Sequence, residues 1–115
     1  MIDYNKFHGI ILYDIELNDC LNGAYTNNDK TVDGNIYNEI ARKKNGIKNS
    51  ILGDYTCSYI DVGNVIHEAT LIITLITGLS QSYSFTWNDN NGRMIFNGIG
   101  YKMNEKQIAV YYKKS

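Results

Sequence analysis

From Asp54 to Lys113, large apolar and aromatic residues recur at every second position in short blocks separated by turn residues. Side chains along a strand point alternately to opposite faces, so a period of two gives each block one apolar face and restricts the chain to consecutive strands. The stretch reads as five strands in an antiparallel meander. Tyr55, Cys57 and Tyr59 alternate with Thr56, Ser58 and Ile60, and Tyr83, Phe85 and Trp87 alternate with Ser82, Ser84 and Thr86. Each aromatic row marks one buried face.

Between these rows, Ala69–Thr77 is apolar on both parities, which fits a central strand covered on both sides or a helix. Thr70, Thr74 and Thr77 favour the strand. Asn90-Asn91-Gly92 supplies the positive φ angles of a tight hairpin, so the strand ending at Trp87 turns back into Arg93–Tyr101. On the return strand Phe96, Gly98 and Gly100 share a face, where paired glycines imply a sharp bend or the close approach of a bulky neighbour. Met103–Lys106 closes the last hairpin, and Ile108, Val110 and Tyr112 finish the sheet.

Upstream, Met1–Phe7 has no pattern, and Ile11, Tyr13, Ile15 and Leu17 alternate with Leu12, Asp14 and Glu16 as a half-buried strand does. Asn18-Asp19 marks a turn, Leu21–Thr26 is a second short strand, and Asn27–Lys30 ends it. Ile36, Tyr37, Ile40 and Ala41 then fall at helical spacing, with Asn38, Glu39, Arg42 and Lys43 opposite. One short amphipathic helix over Asn35–Lys44 is expected, with Asp33 as N-cap, basic residues in its last turn and Asn45-Gly46 as its stop. Gly46–Leu52 is too short to separate domains, so residues 1–115 form a single mainly β domain: an antiparallel up-and-down meander closing into a small barrel, with one short helix.

The chemical motifs are mostly negative. A formal net charge of −1, with basic clusters only at Arg42-Lys43-Lys44 and Lys113-Lys114, gives no concentrated surface for phosphates, so no nucleic-acid partner is expected. Neither an export signal nor an apolar run of about 20 residues is present, which implies a soluble, cytoplasmic chain with no membrane partner. Cys20 and Cys57 are then expected to be free thiols, Cys57 buried in its aromatic row. No metal site is expected: the two cysteines form no CxxC pair and the histidines lie far from them. Asp29-x-Thr31-x-Asp33-Gly34 approaches a calcium loop, but Ile40 stands at the closing position, and a polar turn entering a helix is the expectation. Gly98-Ile99-Gly100 lacks the third glycine of a nucleotide fingerprint, so no cofactor is expected. His67 and Glu68 are neighbours on one strand and face opposite sides, so they make no acid/base pair and His67 reads as an exposed strand-entry residue. No catalytic residue is assigned.

Leu21–Thr26 is echoed by Leu52–Thr56, and both Gly23-Ala24-Tyr25 and Gly53-Asp54-Tyr55 set a glycine two residues before an aromatic at a strand entrance. With the up-and-down strand count, these segments resemble the calycin-type barrels, the lipocalin, fatty-acid-binding and avidin group, whose first strand carries Gly-x-aromatic. The usual aromatic there is Trp; here it is Tyr, and the lone Trp87 lies elsewhere. The resemblance implies a barrel and transfers no ligand residue. Phe96–Gly100 and Ile108–Tyr112 are also similar to small bacterial β-proteins, a likeness that implies no activity.

Two uses of the aromatic face remain. In a hollow barrel, Tyr55, Tyr59, Tyr83, Phe85 and Trp87 line a pocket for a small, partly apolar ligand, without catalysis. In a solid barrel they are core, and function moves to Asn-rich loops or an edge strand that recruits another protein. Ligand binding is placed first, and the oligomeric state is left open.

Overall fold

The computed structural model describes residues 6–17, 19–32, 34–79 and 81–115. They form eight strands: β1 (Gly9–Glu16), β2 (Cys20–Asn27), β3 (Tyr37–Gly46), β4 (Gly53–Ile60), β5 (Ile66–Leu75), β6 (Ser82–Asn88), β7 (Met94–Asn104) and β8 (Gln107–Lys114). Each pairs antiparallel with its sequence neighbours and β1 pairs with β8, which closes the barrel. The antiparallel meander read from the sequence is therefore the fold. Closure leaves none of these strands a free edge, so edge-strand recruitment has no structural basis in the barrel.

The alternation sorts as the period of two requires. Ile11, Tyr13, Leu21, Tyr25, Tyr55, Cys57, Phe85, Trp87, Ile108, Val110 and Tyr112 turn inward and pack as one core. Phe85 lies over Gly100, where any Cβ would collide with its ring, so the glycine marks a close approach rather than a bend. The hairpin between β6 and β7 forms as expected, with Trp87 opposite Phe96 and Phe85 opposite Gly98. Of its Asn90-Asn91-Gly92 segment only Gly92 takes a positive φ (78°). The Asp89 carboxylate holds the loop by accepting from the backbone N–H groups of Asn91 and Arg93, each at 2.9 Å.

Two expectations are corrected. The helix over Asn35–Lys44 does not form; the segment is β3, and the only helical element among the described residues is a 3-10 turn at Val62–Asn64. Its inward positions hold Glu39 and Ala41 while Ile36 and Ile40 face outward, so the apolar residues imitate a helical stripe. Likewise β5 is covered on one face only: Ala69, Leu71 and Ile73 are buried, and Thr74 on the other face is exposed, as a single-walled barrel demands. The Met1–Phe7 reading falls largely outside the described residues, as do Asn18 and the proposed cap Asp33. No helix among the described residues is long and apolar enough to cross a membrane.

The two barrel ends differ. At the base, the β3–β4 loop folds across the opening: Ile51 is buried, the Tyr55 hydroxyl donates to its carbonyl at 2.8 Å, and Lys43 Nζ donates to the carbonyls of Ile47 and Ser50. The opposite end, reached by the β2–β3 and β4–β5 connections, forms a mouth into whose wall Val32 of the β2–β3 connection packs, buried.

Candidate functional site

One interior row organises the mouth. Register aligns Tyr13 with Gly23, Gly23 with Glu39, Glu39 with Tyr59, and Tyr59 with His67, across five adjacent strands. Strands in a closed barrel tilt against its axis, so such a row climbs along it. Exposure rises accordingly, from Tyr13, wholly buried, through Glu39 at 4 % to a half-exposed His67. Gly23 is the gap that makes the row work. A Cβ there would strike the Tyr13 ring; without one, the phenol crosses β2 and its hydroxyl donates to Glu39 Oε2.

Glu39 is the one charged or polar residue buried as a whole among the described residues, and it has no ion-pair partner there. Removal from water disfavours its charged form and raises its pKa from 4.5 to about 6, against the lowering effect of the Tyr13 hydroxyl and, further, of Cys57 and Trp87. The Trp87 indole N–H is close enough to act on the carboxylate, yet it meets no acceptor in hydrogen-bond geometry. It is the one buried side-chain donor without a partner among the described residues. Burial, and then Glu39 beside it, pushes the Cys57 thiol far above its ordinary range, which leaves it neutral and unfit as a nucleophile.

Above Glu39 lies a cavity of about 200 Å³ walled by Tyr25, Tyr59, Trp87, Phe96 and Tyr112. Their placement is fixed by contacts that do not depend on an occupant. The Tyr25 hydroxyl donates to the Ile60 carbonyl at 2.6 Å, Asn27 Nδ2 donates to the Tyr112 hydroxyl at 2.9 Å, and Tyr112 packs edge-on against Phe96. Burial raises the phenol pKa values of Tyr25 and Tyr59, and that of Tyr112 to about 12, so these walls stay neutral at physiological pH. At the rim His67 Nε2 meets Asp61 Oδ2 at 2.6 Å while its ring stacks on Tyr59, 5.0 Å between centroids. Among these groups, Glu39 is the one that can exchange charge at the cavity floor near neutrality.

The five residues read as a ligand face separate. Tyr59 and Trp87 line the mouth, Phe85 is solid core beneath it, and Tyr55 and Tyr83 lie at the base. The recess at the base is wider, about 840 Å³, and is lined by exposed turn residues together with half-buried ones such as Ile15 and Tyr83, with Ile51 and Tyr55 buried in its wall. Sequence reasoning missed Glu39, Tyr25 and Tyr112 as mouth residues and paired His67 with nothing. Residue by residue, the available signal was weak: Glu39 faces the gap at Gly23 only once β2 and β3 are in register. Among the described residues no group of three metal-ligating side chains converges, and the calcium-like segment is an Asp29 turn, its carboxylate accepting from Thr31 N–H and hydroxyl.

The outside of the barrel carries one further feature, an apolar band across β2, β1, β8 and β7 that includes exposed Ile10, Leu12, Ile99 and Tyr101. Comparison with family models, curated proteins and solved structures returns no match for the chain. The functional reading therefore rests on the site itself.

Proposed function

We propose that this barrel binds a small, partly apolar molecule in its mouth, without transforming it. The observation that carries the reading is an aromatic-walled cavity whose floor is a buried carboxyl: few convergent polar groups in an apolar concavity is the general form of a small-molecule site. Its volume of about 200 Å³ lies below the usual range of about 300–1,000 Å³ for such sites, which points to a ligand smaller than a sterol or a flavin. Apolar area buried against these rings contributes about 25 cal/mol per Å², partly offset by the lost freedom of the ligand. The eight-strand meander supports a calycin-like reading of the barrel, although the Gly-x-Tyr segments sit on β2 and at the start of β4 rather than on the first strand. An interaction with another protein would rest on the outer apolar band or on the Asn-rich loops, and the band presents no group of defined chemistry.

Trp87 is the sole tryptophan and lines the cavity, so it reports on the site directly. In a screen of small aromatic compounds, binders are expected to change its fluorescence and to raise the melting temperature together. Trp87→Phe should abolish the optical signal. A screen in which every compound leaves both readouts flat would refute the reading.

A further inference from the structure

Nothing about cavity shape alone says what functional group a ligand carries; the charges around it do. Glu39 is buried and accepts from the Tyr13 hydroxyl, and among the described residues no lysine or arginine lies within ion-pair distance of it. Asp29 and Asp61 add two carboxylates at the rim, where Lys114 is held over the Phe7 ring, 4.7 Å from its centroid, and His67 is engaged by Asp61. The walls are neutral aromatic rings, whose faces attract a cation through their quadrupoles.

Resting on the ligand-binding reading above, we propose that the molecule taken up is an organic amine, its ammonium paired with the Glu39 carboxylate and its apolar body held between Tyr59, Trp87 and Tyr112. An uncompensated buried acid destabilises the empty site; a cation seated on it supplies the missing partner and charge-assisted hydrogen bonds. The same geometry discriminates against acids, which would set a second negative charge against Glu39 in a desolvated site. Binding should follow the ionisation of Glu39. The groups facing it from β1, β2, β4 and β8 are Tyr13, Tyr25, Cys57, Tyr59 and Tyr112, all held neutral through this range, and the rim adds Asp29, Asp61, His67 and Lys114.

Three probes that share a phenyl ring on a two-carbon linker separate the possibilities: 2-phenylethylamine, 2-phenylethanol and 3-phenylpropanoate, titrated against Trp87 fluorescence and melting temperature at pH 7.5 and pH 5. The amine should bind most tightly at pH 7.5, weaken at pH 5, and lose about tenfold or more in affinity in Glu39→Gln, as loss of a charge-assisted bond implies. Phenylethanol should bind weakly and equally in both proteins, and phenylpropanoate least. A His67→Gln variant should keep the pH effect. The wild-type pH comparison stands even if Glu39→Gln fails to fold. Phenylethanol binding as tightly as the amine at both pH values would overturn the amine proposal and leave the cavity reading intact; no response to any probe would count against both.

Discussion

Glu39 is the buried acid on which the proposed site turns, and its burial also bears on stability. Its pKa in the native state, about 6 against an ordinary 4.5, makes the folded protein the tighter proton binder between those values. Stability contributed by the protonated carboxyl is therefore greatest below about pH 4.5 and is lost as pH rises through about 6, by about 2 kcal/mol at 1.4 kcal/mol per tenfold. Denaturant unfolding of wild type and Glu39→Gln across pH 4–7 measures this term free of other carboxylates. The difference between the two should move by about 2 kcal/mol, wild type gaining toward low pH. A difference that does not change with pH would show that Glu39 is solvated.

At the scale of elements, the strands other than β3 were legible, including β2 and β7, whose inward rows carry glycines among larger residues. The rows on β4 and β6 announce themselves because their inward positions are Tyr55, Cys57 and Tyr59 on one and Tyr83, Phe85 and Trp87 on the other, against polar neighbours. On β3 the inward positions hold a carboxylate and an alanine, so hydrophobic patterning reports the wrong period at the very strand that carries the site. Burying a charge breaks the code by which burial is read. The glycine rule fared better, since Gly100 and Gly23 both sit under rings. Gly100→Ala should force the Phe85 ring from a fully buried position and destabilise the barrel by about 1–3 kcal/mol in denaturant unfolding. An unchanged midpoint would mean the ring has room to move.

At the scale of the whole molecule, closure decides which aromatic residues can meet a ligand. The sequence pattern groups Tyr55, Tyr59, Tyr83, Phe85 and Trp87 on inner faces, but position along the barrel axis, set by register and tilt, divides them between mouth, core and base. Register is specified by long-range pairing that no local pattern records. A loop crosses one end, and the other is walled by phenols and an indole above an acid. The most direct test of this division is an amide and indole ¹⁵N correlation spectrum recorded during titration with 2-phenylethylamine. The Trp87 indole N–H resonance and the backbone signals of Tyr25, Glu39 and Tyr59 should shift together and saturably, while those of Tyr55 and Tyr83 stay in place. Shifts centred on Tyr55 and Tyr83, with the Trp87 indole unmoved, would place the site at the wrong end of the barrel and contradict the account.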